Sequence, residues 1–186
     1  MQIALVFALV VLAMIGVRAT WFSFAAQDPK SYAETTPAFV VPKVFNGGLV
    51  SEGAIFGPTG RVVSRFVMQM KGEWTGQTGT LSETFQYDSG KTQQRQWRMV
   101  MGQDGHFTAT ADDIIGKAEG IQSGSTVRMR YRIRLPKDAG GHVLDVVDWL
   151  YLMPDGTIMN RSQMGRFGIT LAELVATMRP ADHAGT

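Results

Sequence analysis

Few residues in this sequence are placed to do chemistry. Glu83 and Asp148 each lie on a strand face otherwise made of large apolar side chains. A carboxylate so placed must be paired, hydrogen-bonded or protonated. The two therefore either line a ligand cavity, serve as an acid/base pair, or form a structural pair with an inward arginine. Asp112 and Asp113 precede Ile114-Ile115-Gly116 and either share that chemistry or simply shape a turn. Arg128, Arg130, Arg132 and Arg134 form a comb along one strand face, with successive guanidinium groups about 6.6–6.8 Å apart. Such a comb suits a partner or membrane surface, or a solvated wall whose arginines meet cross-strand carboxylates.

Other chemistries are missing from the sequence. It has no cysteine, which excludes disulfides, cysteine-ligated zinc, iron–sulfur clusters and a thiol nucleophile. His106, His142 and His183 are far apart and lack metal-ligand spacing, so neither a metal nor a cofactor is expected. No Gly-x-Ser-x-Gly elbow occurs, and Gly76-Gln77-Thr78-Gly79 lacks the lysine and helix of a phosphate loop. No catalytic residue is named on these grounds. A formal charge of +2 from 18 basic and 16 acidic residues gives no nucleic-acid signal.

The elements that position these residues are short segments broken by glycine-containing turns. Strands are predicted near 49–56, 61–71, 79–88, 92–101, 105–111, 114–121, 125–135, 143–153 and 156–162. Residues 169–179 are ambiguous between helix and strand, and the need to pair a last edge favours a strand. This spacing predicts an all-β antiparallel meander of about 9–10 strands, closed as a barrel or packed as a sandwich. Alternation in 126–135 puts Val127, Met129, Tyr131, Ile133 and Leu135 opposite the arginines. The strand 143–153 is apolar on both faces apart from Asp145 and Asp148, so a cover is expected on each side. The eleven methionines, with Trp74, Trp97 and Trp149, suit an adaptable apolar interior.

Ahead of these strands, Ile3 to Val17 carries no polar side chain and is followed by Arg18, Trp21, Phe22 and Phe24. As a helix it would span roughly 23 Å, short of a hydrocarbon core of about 30 Å. With no basic residue before the apolar run, residues 1–26 read as an uncleaved membrane anchor in preference to a signal segment. Residues 27–44, with Pro29, Pro37 and Pro42, form a tether whose Phe39, Val40 and Val41 dock on the domain. The barrel is assigned to 45–180, and a disordered tail to 181–186.

Four strings resemble a known pattern: Gly76 to Leu81, Ala111 to Gly116, Asp145 to Leu152, and Asn160 to Ser162 with Arg166 to Gly168. Together they are similar to the bacterial family catalogued only as domain of unknown function 3833. Gly72-Glu73-Trp74 adds a weak likeness to a lipocalin signature. The resemblance implies a lipocalin-like β-barrel in the bacterial cell envelope, in the periplasm, where many members look like lipoproteins. This chain has no cysteine to carry a lipid, which transfers attachment to the inner membrane onto Ile3 to Val17. The family carries no catalytic residues to transfer.

The leading expectation is a membrane-tethered binder of a hydrophobic, amphipathic or lipid-like ligand. Its cavity would be lined by Phe66, Met68, Glu83, Phe85, Tyr131, Asp148 and Trp149. The alternatives are a packed barrel docking an envelope partner by its arginine face, and an acid/base enzyme using the inward carboxylates.

Overall fold

The computed structural model describes residues 5–7, 10 and 23–181. Ten strands follow one another: β1 Gly47–Phe56, β2 Val62–Thr75, β3 Thr78–Tyr87, β4 Thr92–Met101, β5 His106–Thr110, β6 Ala118–Ser123, β7 Thr126–Arg134, β8 Val143–Leu152, β9 Ile158–Arg166 and β10 Ile169–Pro180. Each pairs antiparallel with its sequence neighbour, and β10 returns to β1 to close a barrel. Residues 169–179 are thus the closing strand. Closure gives every strand a neighbour on both sides, although β4 meets β5 only from Arg98 to Met101.

One end of the barrel is stoppered. The short helix α1 (Val41–Val44) and its flanks bury Phe39, Val41 and Phe45 against Leu49, Met70 and Leu81. Pro42 sits in the first turn of this helix, where its missing N–H costs nothing. Gly72 makes the stopper fit, because a Cβ there would lie 1.7 Å from the Phe45 carbonyl oxygen. Trp74 donates its indole N–H to that same carbonyl at 2.9 Å, and the Phe39 N–H donates to the Gly124 carbonyl at 2.7 Å. Val40 points outward and stays exposed.

At the opposite end nothing equivalent closes the lumen among the described residues. Ile55, Tyr87, Tyr131, Met164 and Leu174 pack against the core yet remain partly exposed. The barrel is therefore stoppered at one end, with partly exposed inward side chains at the other.

The outer wall also carries a cover. Residues 23–32 climb β7 and β8, with short 3₁₀ turns at Phe24–Ala26 and Pro29–Tyr32. Tyr32 lies 5.4 Å from the Trp149 ring and 6.0 Å from Tyr151. Trp149 is consequently fully buried, although it faces away from the lumen. This corrects its assignment to the ligand cavity: alternation puts Asp148 inside and Trp149 outside, and the tether supplies the second apolar surface.

Two other expectations change. The sequence predicts a strand over 114–121, whereas 111–117 is irregular and β6 begins at Ala118. Gly116 turns the chain with φ +76°, and the segment leaves β5 to lie along β7. There Arg134 N–H donates to the Asp113 carbonyl and Ile115 N–H to the Arg132 carbonyl. Strand β9 runs past 162 to Arg166. The apolar stretch Ile3 to Val17 lies mostly outside the described residues, as do 182–186. Among the described residues, no helix is long and apolar enough to cross a membrane.

Candidate functional site

The site begins with a defect in the barrel wall. Strand β4 pairs with β3 along nearly its whole length, but its other edge pairs with β5 only from Arg98 to Met101. Residues 92–97 therefore face the 112–115 segment with no backbone ladder between them. Side chains close this seam instead. Arg95 donates from Nε (3.0 Å) and Nη2 (2.5 Å) to Asp113 Oδ2. Outside it, Arg98 reaches Asp112 at 3.4 Å. Lys91 pairs with Asp138 across the loops above.

Glu83 stands behind Arg95 because the β3–β4 hairpin places them directly opposite. Its Oε2 is 3.9 Å from Arg95 Nη1. The guanidinium also sits 5.5 Å from the centre of the Trp97 ring and 6.0 Å from that of Phe85. Trp97 in turn meets Tyr131 edge-on at 5.4 Å. Flat apolar surfaces thus hold a cation whose charge Asp113 and Glu83 share.

Deeper in the lumen, Asp148 Oδ1 accepts from the Asn160 amide at 2.6 Å and the Ser162 hydroxyl at 2.5 Å. Those partners lie on β9, directly beside β8. Two carboxylate oxygens of the cluster, Glu83 Oε2 and Asp113 Oδ1, are buried and accept no hydrogen bond. Each is a place for a donor that the described protein residues do not supply.

The electrostatics follow from burial. Loss of water raises the Glu83 carboxyl to about 7; Arg95 and the Trp97 indole pull it down, while Asp148 and Asp113 push it up. Burial also raises Asp148, against the hydrogen bonds from Ser162 and Asn160 and the charge of Arg95. Tyr131 stays protonated, held well above its ordinary value by burial and the nearby carboxylates. Burial opposes the charge of Arg95, but Glu83, Tyr131 and Asp113 outweigh it and keep the guanidinium charged.

The seam opens outward as a cavity of about 500 Å³ lined by Glu83, Gln93, Gln94, Arg95, Asp112 and Asp113, among others. A second groove of about 690 Å³ runs beneath residues 23–26, against Arg130, Arg132 and Asp145. Among the described residues, no group of three or more His, Asp and Glu side chains is placed to hold a metal ion.

The sequence-predicted residues divide accordingly. Glu83, Phe85, Tyr131 and Asp148 converge on this cluster, while Phe66 packs on Phe85 at 5.4 Å and Met68 lies in the core. Trp149 is on the outer face. Within the arginine comb, Arg130 donates to the Ala25 carbonyl at 2.6 Å and Arg128 to the Gln27 carbonyl at 3.5 Å. Those two hold the chain's own N-terminal segment. Arg132 lines the groove beside it. Arg134 stays exposed at the end of β7. Sequence reasoning missed Arg95. The signal was present, since Gln93, Arg95, Trp97 and Met99 share a face, and the turn at Ser89-Gly90 sets Arg95 opposite Glu83.

Comparison with known proteins bears on the fold. The S-type phycobiliprotein lyase CPES from Guillardia theta superposes with a TM-score of 0.57 at 9% identity, covering 75% of this chain and 89% of that one. Rv2717c from M. tuberculosis does so with a TM-score of 0.54 at 14% identity, covering 79% and 99%. At such identities the likeness is one of architecture. No curated protein matches the chain in sequence. The family model described as protein of unknown function (DUF3833) matches residues 19–180, and the chain belongs to that family.

Proposed function

We propose that this protein is a binding cup for a small amphipathic molecule with a donor-bearing head. The observation that carries this reading is the charged cluster at the seam. An apolar barrel holds Glu83, Arg95 and Asp113 at an opening of about 500 Å³, with two buried carboxylate oxygens lacking donors. Its volume falls within the range of small-molecule sites, and its lining is polar throughout, which suits the head of the ligand. An amine or hydroxyl head would satisfy Glu83 Oε2 and Asp113 Oδ1. The apolar part would lie along Tyr87, Tyr131, Met164 and Leu174, which are partly exposed at the mouth. One relative that shares the architecture is named as a phycobiliprotein lyase.

The test is titration of the detergent-solubilised full chain with a dansylated long-chain alkylamine, followed by energy transfer from tryptophan. Saturable binding that weakens about tenfold in Glu83→Gln supports the reading, since a charge-assisted hydrogen bond contributes about 1.5–3 kcal/mol. Binding that is absent, or indifferent to both Glu83→Gln and Asp113→Asn, refutes it. Native mass spectrometry of protein extracted from its host adds the identity of any bound small molecule.

A second reading is favoured by one observation. A carboxyl held near 7 beside a fixed cation is poised as a general acid or base. That reading requires chemical change in the captured molecule, which the same mass spectrum would show.

A further inference from the structure

The rim of the cup is not uniform. At the tip of the β9–β10 hairpin, Phe167 and Gly168 both adopt positive φ, +54° and +77°. This is the two-residue turn that favours Asn-Gly or Asp-Gly, because a bulky side chain is strained in the left-handed region. The opposite end of the same barrel uses the favoured chemistry, with Asp104 and Gly105 at φ +53° and +77°. An aromatic residue thus occupies a position whose backbone disfavours it, and it is 86% exposed.

Its neighbours share that exposure. Ile169 and Leu171 follow it on β10, and Val62 and Val63 open β2; all are exposed apolar side chains. The two hairpins adjoin, because β10 pairs with β1 and a groove of about 370 Å³ joins Pro58 and Gly60 to Thr170 and Ala172. Arg61 and Arg166 flank the patch, and neither forms an ion pair with a carboxylate among the described residues. Arg166 lies 4.8 Å from the Phe167 ring. The nearby carboxylates are engaged: Asp88 by Arg65, and Glu173 by Arg161 and Gln163.

From these observations we propose that the β1–β2 and β9–β10 tips form a rim that inserts shallowly into an anionic lipid bilayer. Apolar tips bracketed by unpaired arginines match the headgroup boundary, where an aromatic ring is buried and guanidinium groups meet phosphate. Charge complementarity selects lipid over a second copy of this chain, which would bring the same arginines face to face. The course of residues 23–32 agrees. The chain climbs the wall from Tyr32, beside Trp149 and Tyr151, to Ser23, in the groove with Arg132 and Asp145, and so approaches the rim's end of the barrel. A rim on the membrane would also place the mouth of the cup at the bilayer surface. The inference rests on the exposed rim alone, independently of the ligand reading.

The absence of cysteine makes a clean test. Phe167→Cys and, as the control at the far end, Asp104→Cys are each labelled with an environment-sensitive fluorophore in the full chain. Both are reconstituted into vesicles of phosphatidylglycerol and brominated phosphatidylcholine. The proposal expects a blue shift and at least about twofold quenching at position 167, with little change at 104. Adding Arg61→Glu and Arg166→Glu should weaken that contact by about fivefold for each arginine removed. Equal quenching at both positions, or none at 167, overturns it. So does a blue shift in lipid-free detergent that grows with protein concentration, which would identify a second copy as the occupant.

Discussion

Replacing Glu83 by glutamine should stabilise this protein above neutral pH. Burial raises the folded-state value of this carboxyl from 4.5 to about 7. Between those values the unfolded chain has released its proton and the folded chain still holds it. The folded state therefore binds more protons, and stability falls as pH rises through the window. At about 1.4 kcal/mol per pH unit, the window from 4.5 to about 7 amounts to about 3 kcal/mol. Above pH 7 the wild type carries the whole penalty of a buried, ionised Glu83. The glutamine variant keeps the shape, cannot ionise, and escapes it. Guanidinium chloride melts of both full-length proteins in detergent at pH 5 and pH 8 would read this directly. The variant should match the wild type near pH 5 and exceed it by about 3 kcal/mol at pH 8, roughly 6–12 °C in Tm for a chain of this size. Asp148 is raised in both proteins, so its contribution cancels in the comparison. A variant that is less stable at pH 8 would refute the reasoning. It would mean that Glu83 is ionised and that its attraction to Arg95 outweighs desolvation.

Other outcomes follow from the same geometry. Ser162→Ala removes the hydroxyl donor to Asp148 and should cost about 1–2 kcal/mol in denaturant melts, more where Asp148 is ionised than at lower pH where it is protonated. Gly72→Ala drives a Cβ into the Phe45 carbonyl and should cost about 3 kcal/mol or more, with proteolysis before residue 45 as the readout of a displaced stopper. Tyr32→Ala uncovers Trp149 and should red-shift tryptophan emission while costing about 1–2 kcal/mol. Phe167→Asn relieves a left-handed phenylalanine and should raise stability by about 1 kcal/mol while loosening vesicle binding.

A trade between stability and a site recurs through the molecule. Glu83 and Asp148 interrupt an apolar lumen, and Phe167 occupies a turn better served by asparagine. Such local conflicts are where function concentrates in a fold that is otherwise self-consistent.

Much of the fold was legible in the residues because its causes are local. Period-two alternation decides which side chains share a face, so Glu83 and Asp148 could be placed inside and the arginine comb outside. Glycine-bearing turns decide hairpin register, so Arg95 opposite Glu83 was readable in principle. The meander followed from turn spacing, and closure resolved the last segment as a strand because an unpaired edge is costly. What the tertiary structure alone decided lies between segments distant in sequence. Asp113 looked like a turn residue until the 111–117 segment left β5 for β7 and carried it across a gap to Arg95. Trp149 looked like cavity lining until Tyr32, more than a hundred residues earlier, covered the outer wall. Alternation put Arg128 and Arg130 on the outer face, and only the fold shows that the carbonyls of Gln27 and Ala25 meet them there. Alternation states which face a side chain takes; only the closed barrel states what that face meets.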